Sequence, residues 1–473
     1  MTNCKNCTTP FQIDDSDLQF YEKVSPIING QKFLLPPPSL CPDCRQQRRL
    51  AHCNEFNLYQ NLCDLCHKPG LTEHSPSEKR TSYCKECWHS DKWDPRDYGR
   101  DFDFTRPFFE QFDELCRSAP LLALIIDGTN INCDYMHFAG SSKNCYLIMH
   151  ADHCEDCMYG YGFKRATSCM DGFYNLHSEL CYDCIDVHRC YGLKASQDCI
   201  NCNSSTFLRD CIGCQDCFLC VGLRNKKYCF ENRQLSQEEY KAKMAQIDLG
   251  SYEQYQLYTK KLEELSKAHA FKQFQNTQVE NSFGDHLVNC KNALYCFDCE
   301  DVEEAKYCYQ LVLGAKDCMD VYQYGSRVQQ SYESAIVGAD SYHLLFVNQG
   351  HMASQELLYC FNLESSKNCF GCTNMHKASY CILNKQYTKE EYETLVPKII
   401  EHMKSTGEWG EYFDPKLSLY GYNKSTAQMW YPMSKEQVLA KGWKWDEYEV
   451  PAPQVATVVD AKSLPDNIQE ISD

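Results

Sequence analysis

The chain has 473 residues and a formal net charge of −18, with 65 acidic against 47 basic side chains. That length gives room for roughly two to four domains with sizeable cores. So acidic a chain is a poor global binder of phosphate backbones, although a local basic patch could still act. The 34 cysteines and 32 tyrosines are anomalous and need a mechanism. Cysteine abundance fits a secreted disulfide framework or an intracellular thiol and metal protein. The opening Met1-Thr2-Asn3-Cys4-Lys5-Asn6-Cys7 has no basic segment followed by an apolar one, and the longest apolar run, Leu121–Ile126, is too short to span a bilayer. The expectation is a cytoplasmic, non-membrane protein.

In chain order, residues 1–110 are expected to hold zinc-binding modules. Four C-x-x-C pairs stand there: Cys4/Cys7, Cys41/Cys44, Cys63/Cys66 and Cys84/Cys87. Two intervening residues let both thiolates of a knuckle reach one ion, and two knuckles complete a tetrahedral all-sulfur shell that suits zinc. Sequential pairing gives one site from Cys4, Cys7, Cys41 and Cys44 and a second from Cys63, Cys66, Cys84 and Cys87. The region reads as zinc-ribbon or treble-clef-like, with about two structural zinc ions and no open coordination position. His67 and His89 adjoin knuckles, but complete cysteine sets make them unnecessary as ligands. Arg45, Arg48 and Arg49 follow Cys44 in a short basic stretch. They could contact nucleic-acid phosphates, and the acidity of the whole chain favours a solvated helix face instead.

After a connector at 111–132 the character changes. Cys133, Cys145, Cys157, Cys169 and Cys181 are spaced by twelve, and Cys190, Cys199, Cys211, Cys220 and Cys229 follow at nine or twelve. The pattern resumes with Cys290, Cys299, Cys308, Cys360, Cys369 and Cys381. Two spacings together make 18, 21 or 24 residues, which is the expected length of one β-solenoid coil. Small cysteines would then form inward ladders, and the adjoining tyrosines would stack on the opposite face.

The array is duplicated. Cys217–Tyr240 reappears at an offset of 152 residues as Cys369–Tyr392. Each copy ends in a capping box, Ser236 with Glu239 and Thr388 with Glu391, which predicts a helix start. The fold class is therefore mainly β: two tandem β-solenoid arrays at 133–235 and 288–388, with capping helices. A helical linker is expected at 236–287, a helical and aromatic cap at 389–450, and a flexible tail at 451–473.

Inside the arrays, the Cys211, Cys214, Cys217, Cys220 run resembles an iron–sulfur ligand series, although most spacings here are multiples of three anyway. Cys181/Cys184, Cys199/Cys202 and Cys217/Cys220 would stack in an 18-residue coil and could share metal ions, against the alternative of a plain thiol core. Asp156, Asp183, Asp186 and Asp320 are candidate acids for a carbohydrate-active β-helix, but no paired-carboxylate signature lifts them above corner residues. His137, His150, His153, His177 and His188 read as surface residues, and a metal site from His150, His153 and Cys154 is the competing reading.

The run Leu40-Cys41-Pro42-Asp43-Cys44-Arg45-Gln46-Gln47-Arg48-Arg49, the segment Trp93–Phe104, Asn384-Lys385-Gln386-Tyr387 and Gly442-Trp443-Lys444-Trp445 resemble a cysteine-rich zinc-module and β-solenoid family of candidate-phyla (Patescibacteria-type) bacteria. The resemblance covers nearly the whole chain and implies that members often continue into a further zinc-module-like segment at the C-terminus; this sequence stops before it, as a truncated or shortened version would. It brings no reaction with it. The functional expectation is a non-enzymatic zinc-binding scaffold with a protein partner. The alternatives are a nucleic-acid- or ribosome-associated protein acting through Arg45, Arg48 and Arg49, and a carbohydrate-active enzyme. No oligomeric state is implied.

Overall fold

The computed structural model describes residues 1–452, 454–455 and 457–471. It divides into two compact units, one of residues 1–123 and 274–448, the other of 124–273 and 449–473. The helices that matter here are α1 (Asp15–Val24), α2 (Pro42–Leu50), α3 (Lys85–Trp88), α4 (Phe108–Ser118), α5 (Gln237–Met244), α6 (Tyr252–Lys267) and α7 (Lys389–Thr406). Among the described residues no helix is long and apolar enough to cross a membrane.

The protein is mainly β, and each unit holds one parallel β-solenoid array. In the first array the register partners are twelve residues apart throughout, from Asp134↔Tyr146 to Phe218↔Phe230. The coil is thus twelve residues, which corrects the expected 18 to 24. The cause is a three-residue unit. Every third residue from Asn132 to Glu231 has φ between +45° and +72°, and most of the residues that follow them, such as Cys145, Cys157 and Cys190, are buried in the coil. Each left-handed residue turns the chain by one side, and four sides close a coil. Only four side chains fill each layer of about 4.8 Å, so the core takes small groups such as Cys157, Ala166, Cys190 and Cys199.

The second array opens on a coil of eleven residues (Thr277↔Val288, Glu280↔Lys291), takes the twelve-residue coil from Gly284↔Cys296 to Ala305, lengthens to thirteen (Ala305↔Cys318, Cys318↔Ser331, Tyr342↔Gln355), and returns to twelve at Gln355↔Lys367. One corner absorbs the extra residue by placing two successive residues at positive φ: Leu313/Gly314, Ser326/Arg327, Ala339/Asp340 and Met352/Ala353. The extra residue recurs at one corner, so the inward register is kept.

Thiols in the core act as hydrogen-bond donors. Cys190 Sγ lies 3.4 Å from the carbonyl oxygens of His188 and Cys199. Ser178 does the same with Leu176 and Val187 one coil earlier, and its Oγ accepts from the Cys190 amide at 3.1 Å. Serine and cysteine are therefore interchangeable bridges between coils. Outward aromatic rings stack along the arrays as expected, for example Tyr161 on Phe173 and Tyr295 on Tyr307.

The duplicated exits fold alike. Cys229 pairs antiparallel with Gln234, and Cys381 with Gln386, so a tight hairpin rather than a helix occupies the last strand edge. Asn232 and Asn384 each accept an amide of the preceding coil at 2.8 Å. The capping boxes at Ser236/Glu239 and Thr388/Glu391 then start α5 and α7. In the second unit α6 lies along the array flank, with Tyr258 against Phe207 and Phe218. Part of the segment expected to be a flexible tail is docked: Asp466 accepts from the Glu253 amide at 2.7 Å and from the Ser251 hydroxyl at the start of α6. Pro453, Ala456, Ser472 and Asp473 lie outside the described residues. The second array is paired from Thr277 onward, earlier than the expected 288.

Candidate metal centres and the arginine helix they hold

Each N-terminal metal centre combines a hairpin knuckle with a helix start. Thr2–Asn3 pairs with Pro10–Phe11, and between them the amide of Thr8 returns to the Cys4 carbonyl at 2.9 Å, with Thr8 at φ +62°. Cys41 is the N-cap of α2, and Cys44 lies in its first turn. The second centre repeats the plan. Tyr59–Leu62 pairs with Pro69–Thr72, His67 takes the left-handed turn at φ +59°, and Cys84 is the N-cap of α3. At the helix starts the Cys44 and Cys87 amides donate to the Cys41 and Cys84 sulfurs and favour their thiolates, but burial outweighs them and raises both thiols.

The ligand atoms of Cys4, Cys7, Cys41 and Cys44 all lie within 4.8 Å of one another, and so do those of Cys63, Cys66, Cys84 and Cys87. Cys7 and Cys41 sulfurs are 3.6 Å apart, and those of Cys66 and Cys84 are 3.9 Å apart. Four sulfurs at about 2.3 Å from one ion require roughly this separation. Burial pushes the Cys4 and Cys63 thiols up, but surrounding amide donors outweigh it and bring each to about 6. Burial raises Cys41, to about 11. Each set can therefore hold one tetrahedral metal ion. His89 is not among the ligands: its Nε2 is 2.9 Å from Glu364 and its Nδ1 2.9 Å from the Lys85 carbonyl.

The basic stretch after Cys44 is neither a solvated face nor a phosphate-binding patch. Arg45, Arg48 and Arg49 are buried against the second array. Arg45 donates to Asp320 at 2.8 Å and lies 5.5 Å over the Tyr307 ring. Arg48 donates to Glu333 at 3.0 Å and to Glu411 at 2.8 Å, while Arg49 bonds Glu333 at 3.0 Å and Asp320 at 3.3 Å. Three cations face three carboxylates, so the cluster is neutral as a whole. Around it α1 and α4 cover the same array face, with Tyr21 against Tyr332 and Phe108 against Tyr359 and Phe370. Nothing in the local sequence announces these partners, because Asp320 and Glu333 stand more than 270 residues from the arginines.

Cysteines of the arrays are not gathered in this way. Cys211, Cys214, Cys217 and Cys220 occupy the four sides of one coil and bond to carbonyl oxygens. The pairs expected to stack at 18 residues fall on different sides of the twelve-residue coil. Among the described residues, no three sulfurs of either array lie close enough together to share an ion. Cys154 points inward while His150 stacks on Phe138 and faces outward. Of the candidate acids, Asp156 accepts from Asn144, Asp183 from Tyr255, and Asp320 is ion-paired, while Asp186 stands one coil from Asp198 with a carboxylate oxygen of each within 4.8 Å of the other.

The fold and these clusters define a two-array β-solenoid protein with two N-terminal tetracysteine centres. No family model matches the chain, and no curated protein matches it. Among solved structures, a chain from Desulfovibrio desulfuricans G20 described as an acetyltransferase is 8% identical, over 56% of this chain and 68% of that one, with a TM-score of 0.11. At that TM-score the match carries no argument.

Proposed function

We propose that the protein is a non-enzymatic scaffold in which two structural zinc ions lock a helical layer onto one solenoid array while the other array receives a protein partner. The observation that carries this reading is α2: its two N-terminal cysteines belong to a metal centre and its three arginines to a buried charge cluster on the array. All-cysteine shells leave no position for a substrate, which supports a structural part for the ions. With its arginines consumed inside the fold, the nucleic-acid alternative loses the basic patch on which it rested. A row of outward aromatic and apolar side chains on the first array, including Tyr146, Met158, Tyr159, Met170 and Tyr182, is exposed, and such rows mark interaction surfaces. Photo-crosslinking residues placed one at a time at Tyr146, Tyr159, Tyr182 and Tyr191 test the reading in the native cell. Discrete protein adducts are expected; adducts to nucleic acid alone, or none at any position, would contradict it.

A further inference from the structure

The two arrays can be aligned coil by coil from their shared exits. In the second array the outward column reads back as Ile382, Phe370, Leu358, Leu345, Tyr332, Met319 and Lys306. In the first it reads Phe230, Phe218, Thr206, Lys194, Tyr182, Met170 and Met158. Each column residue is followed by one in the left-handed conformation. Tyr307, Asp320 and Glu333 therefore correspond to Tyr159, Asp171 and Asp183, all six with φ between +44° and +56°. The former three are the groups that receive Arg45, Arg48 and Arg49. The flanking Met319 and Tyr332 likewise correspond to Met170 and Tyr182.

In the second array this face is closed by α2. In the first it is open: Tyr159 is 47% exposed, Met170 38% and Tyr182 42%, and Asp171 and Asp183 are exposed too. Asp171 has no ion-pair partner among the described residues. Partial burial and the neighbouring Asp183 hold its carboxyl above the ordinary value, as expected of an uncompensated acidic pair. Tyr255 of α6 donates to Asp183 and marks the edge of the open stretch. Beyond it the same column is already a helix-binding surface, with Phe207 and Phe218 covered by α6.

We propose that Tyr159, Asp171 and Asp183, framed by Met158, Met170 and Tyr182, form a docking site for a short helix of another protein that presents arginines three or four residues apart, as α2 presents Arg45, Arg48 and Arg49. This rests on the scaffold reading and names the chemistry of its partner. A tyrosine face for one guanidinium and two carboxylates one coil apart match that pattern, because arginine pairs with carboxylates in a planar fork and stacks on aromatic rings. A second copy of this chain is a poor occupant, since its own α2 arginines are already buried and ion-paired.

The test uses the full-length, zinc-loaded chain and a fluorescent, helix-stapled peptide of the sequence 41–50 with both cysteines replaced by serine. Saturable one-site binding by anisotropy is expected. It should weaken about tenfold or more in the Asp171→Asn, Asp183→Asn double variant, and equally when the peptide arginines become glutamine. Both substitutions are at exposed positions, and circular dichroism confirms that the variant is folded. Absent binding, or binding unchanged in the double variant, would overturn the proposal. A concentration-dependent dimer abolished by the same substitutions would overturn the foreign partner in favour of a second copy. If the peptide fails while crosslinks from Tyr191 still reach a protein, this site is wrong and the scaffold reading stands.

Discussion

Arg49 and Glu333 lie 284 residues apart in the chain and meet at 3.0 Å, Nη1 donating to Oε2, with both side chains essentially inaccessible to solvent. That contact joins the helix leaving the first tetracysteine cluster to the fifth residue of a solenoid strand, Gln329–Gly338. Removing one member strands a buried charge, which costs about 3–5 kcal/mol. Arg49→Ala and Glu333→Ala should each lower stability by that order in denaturant titrations. The double variant should lose less than the sum, because each single change already breaks the pair.

Glu333 also sets a pH dependence. Burial raises its carboxyl, but Arg48, Arg49 and Arg45 outweigh this and hold it below 4.5. A depressed folded value means the stabilisation is fully present above the unfolded value and is lost as pH falls through the folded one. Thermal unfolding should therefore drop below about pH 4.5 more steeply in the wild type than in Glu333→Gln. Parallel curves would remove Glu333 from the acid response.

The three-residue corner makes a backbone prediction. Asn201 stands at φ +53°, exposed, at one corner of the first array. A β-branched side chain there meets the full left-handed penalty of about 1–2 kcal/mol. Asn201→Val should be destabilised by that amount, and Asn201→Gly should be close to neutral. Equal stabilities of the two variants would contradict the corner geometry.

Inside the coil, Cys190 bridges two carbonyls and accepts the Cys202 amide at 3.4 Å. Serine already fills this role at Ser178, so Cys190→Ser should cost less than about 1.5 kcal/mol, while Cys190→Leu should overpack the layer by about 1–3 kcal/mol. Calorimetry of the two variants measures the difference.

The cysteine sets of both centres, the duplicated exit and the solenoid class were legible because each leaves its signal within a short stretch of sequence. The coil length was not. Cysteine occupies only some of the four inward positions, and Ala151, Phe163, Val187 and Leu193 fill others, so intervals between cysteines skip sides of the coil. The left-handed corners are equally hidden, since they carry residues as different as Leu147, His150, Asp156 and Phe207. Arg45, Arg48 and Arg49 looked solvated because their carboxylate partners enter only through the fold. The coil-by-coil match of Asp171 and Asp183 with Asp320 and Glu333 became visible only once the register was known.

Metal bound in the first centre is expected to hold α2 on the array. Hydrogen exchange of residues 41–50, measured with elemental analysis before and after chelation, tests it most directly. About two zinc ions per chain are expected, with little iron, and protection of 41–50 should collapse on chelation while Cys211–Cys220 stays protected. A chain without bound metal, or unchanged protection of 41–50 after its removal, would show that metal does not hold α2.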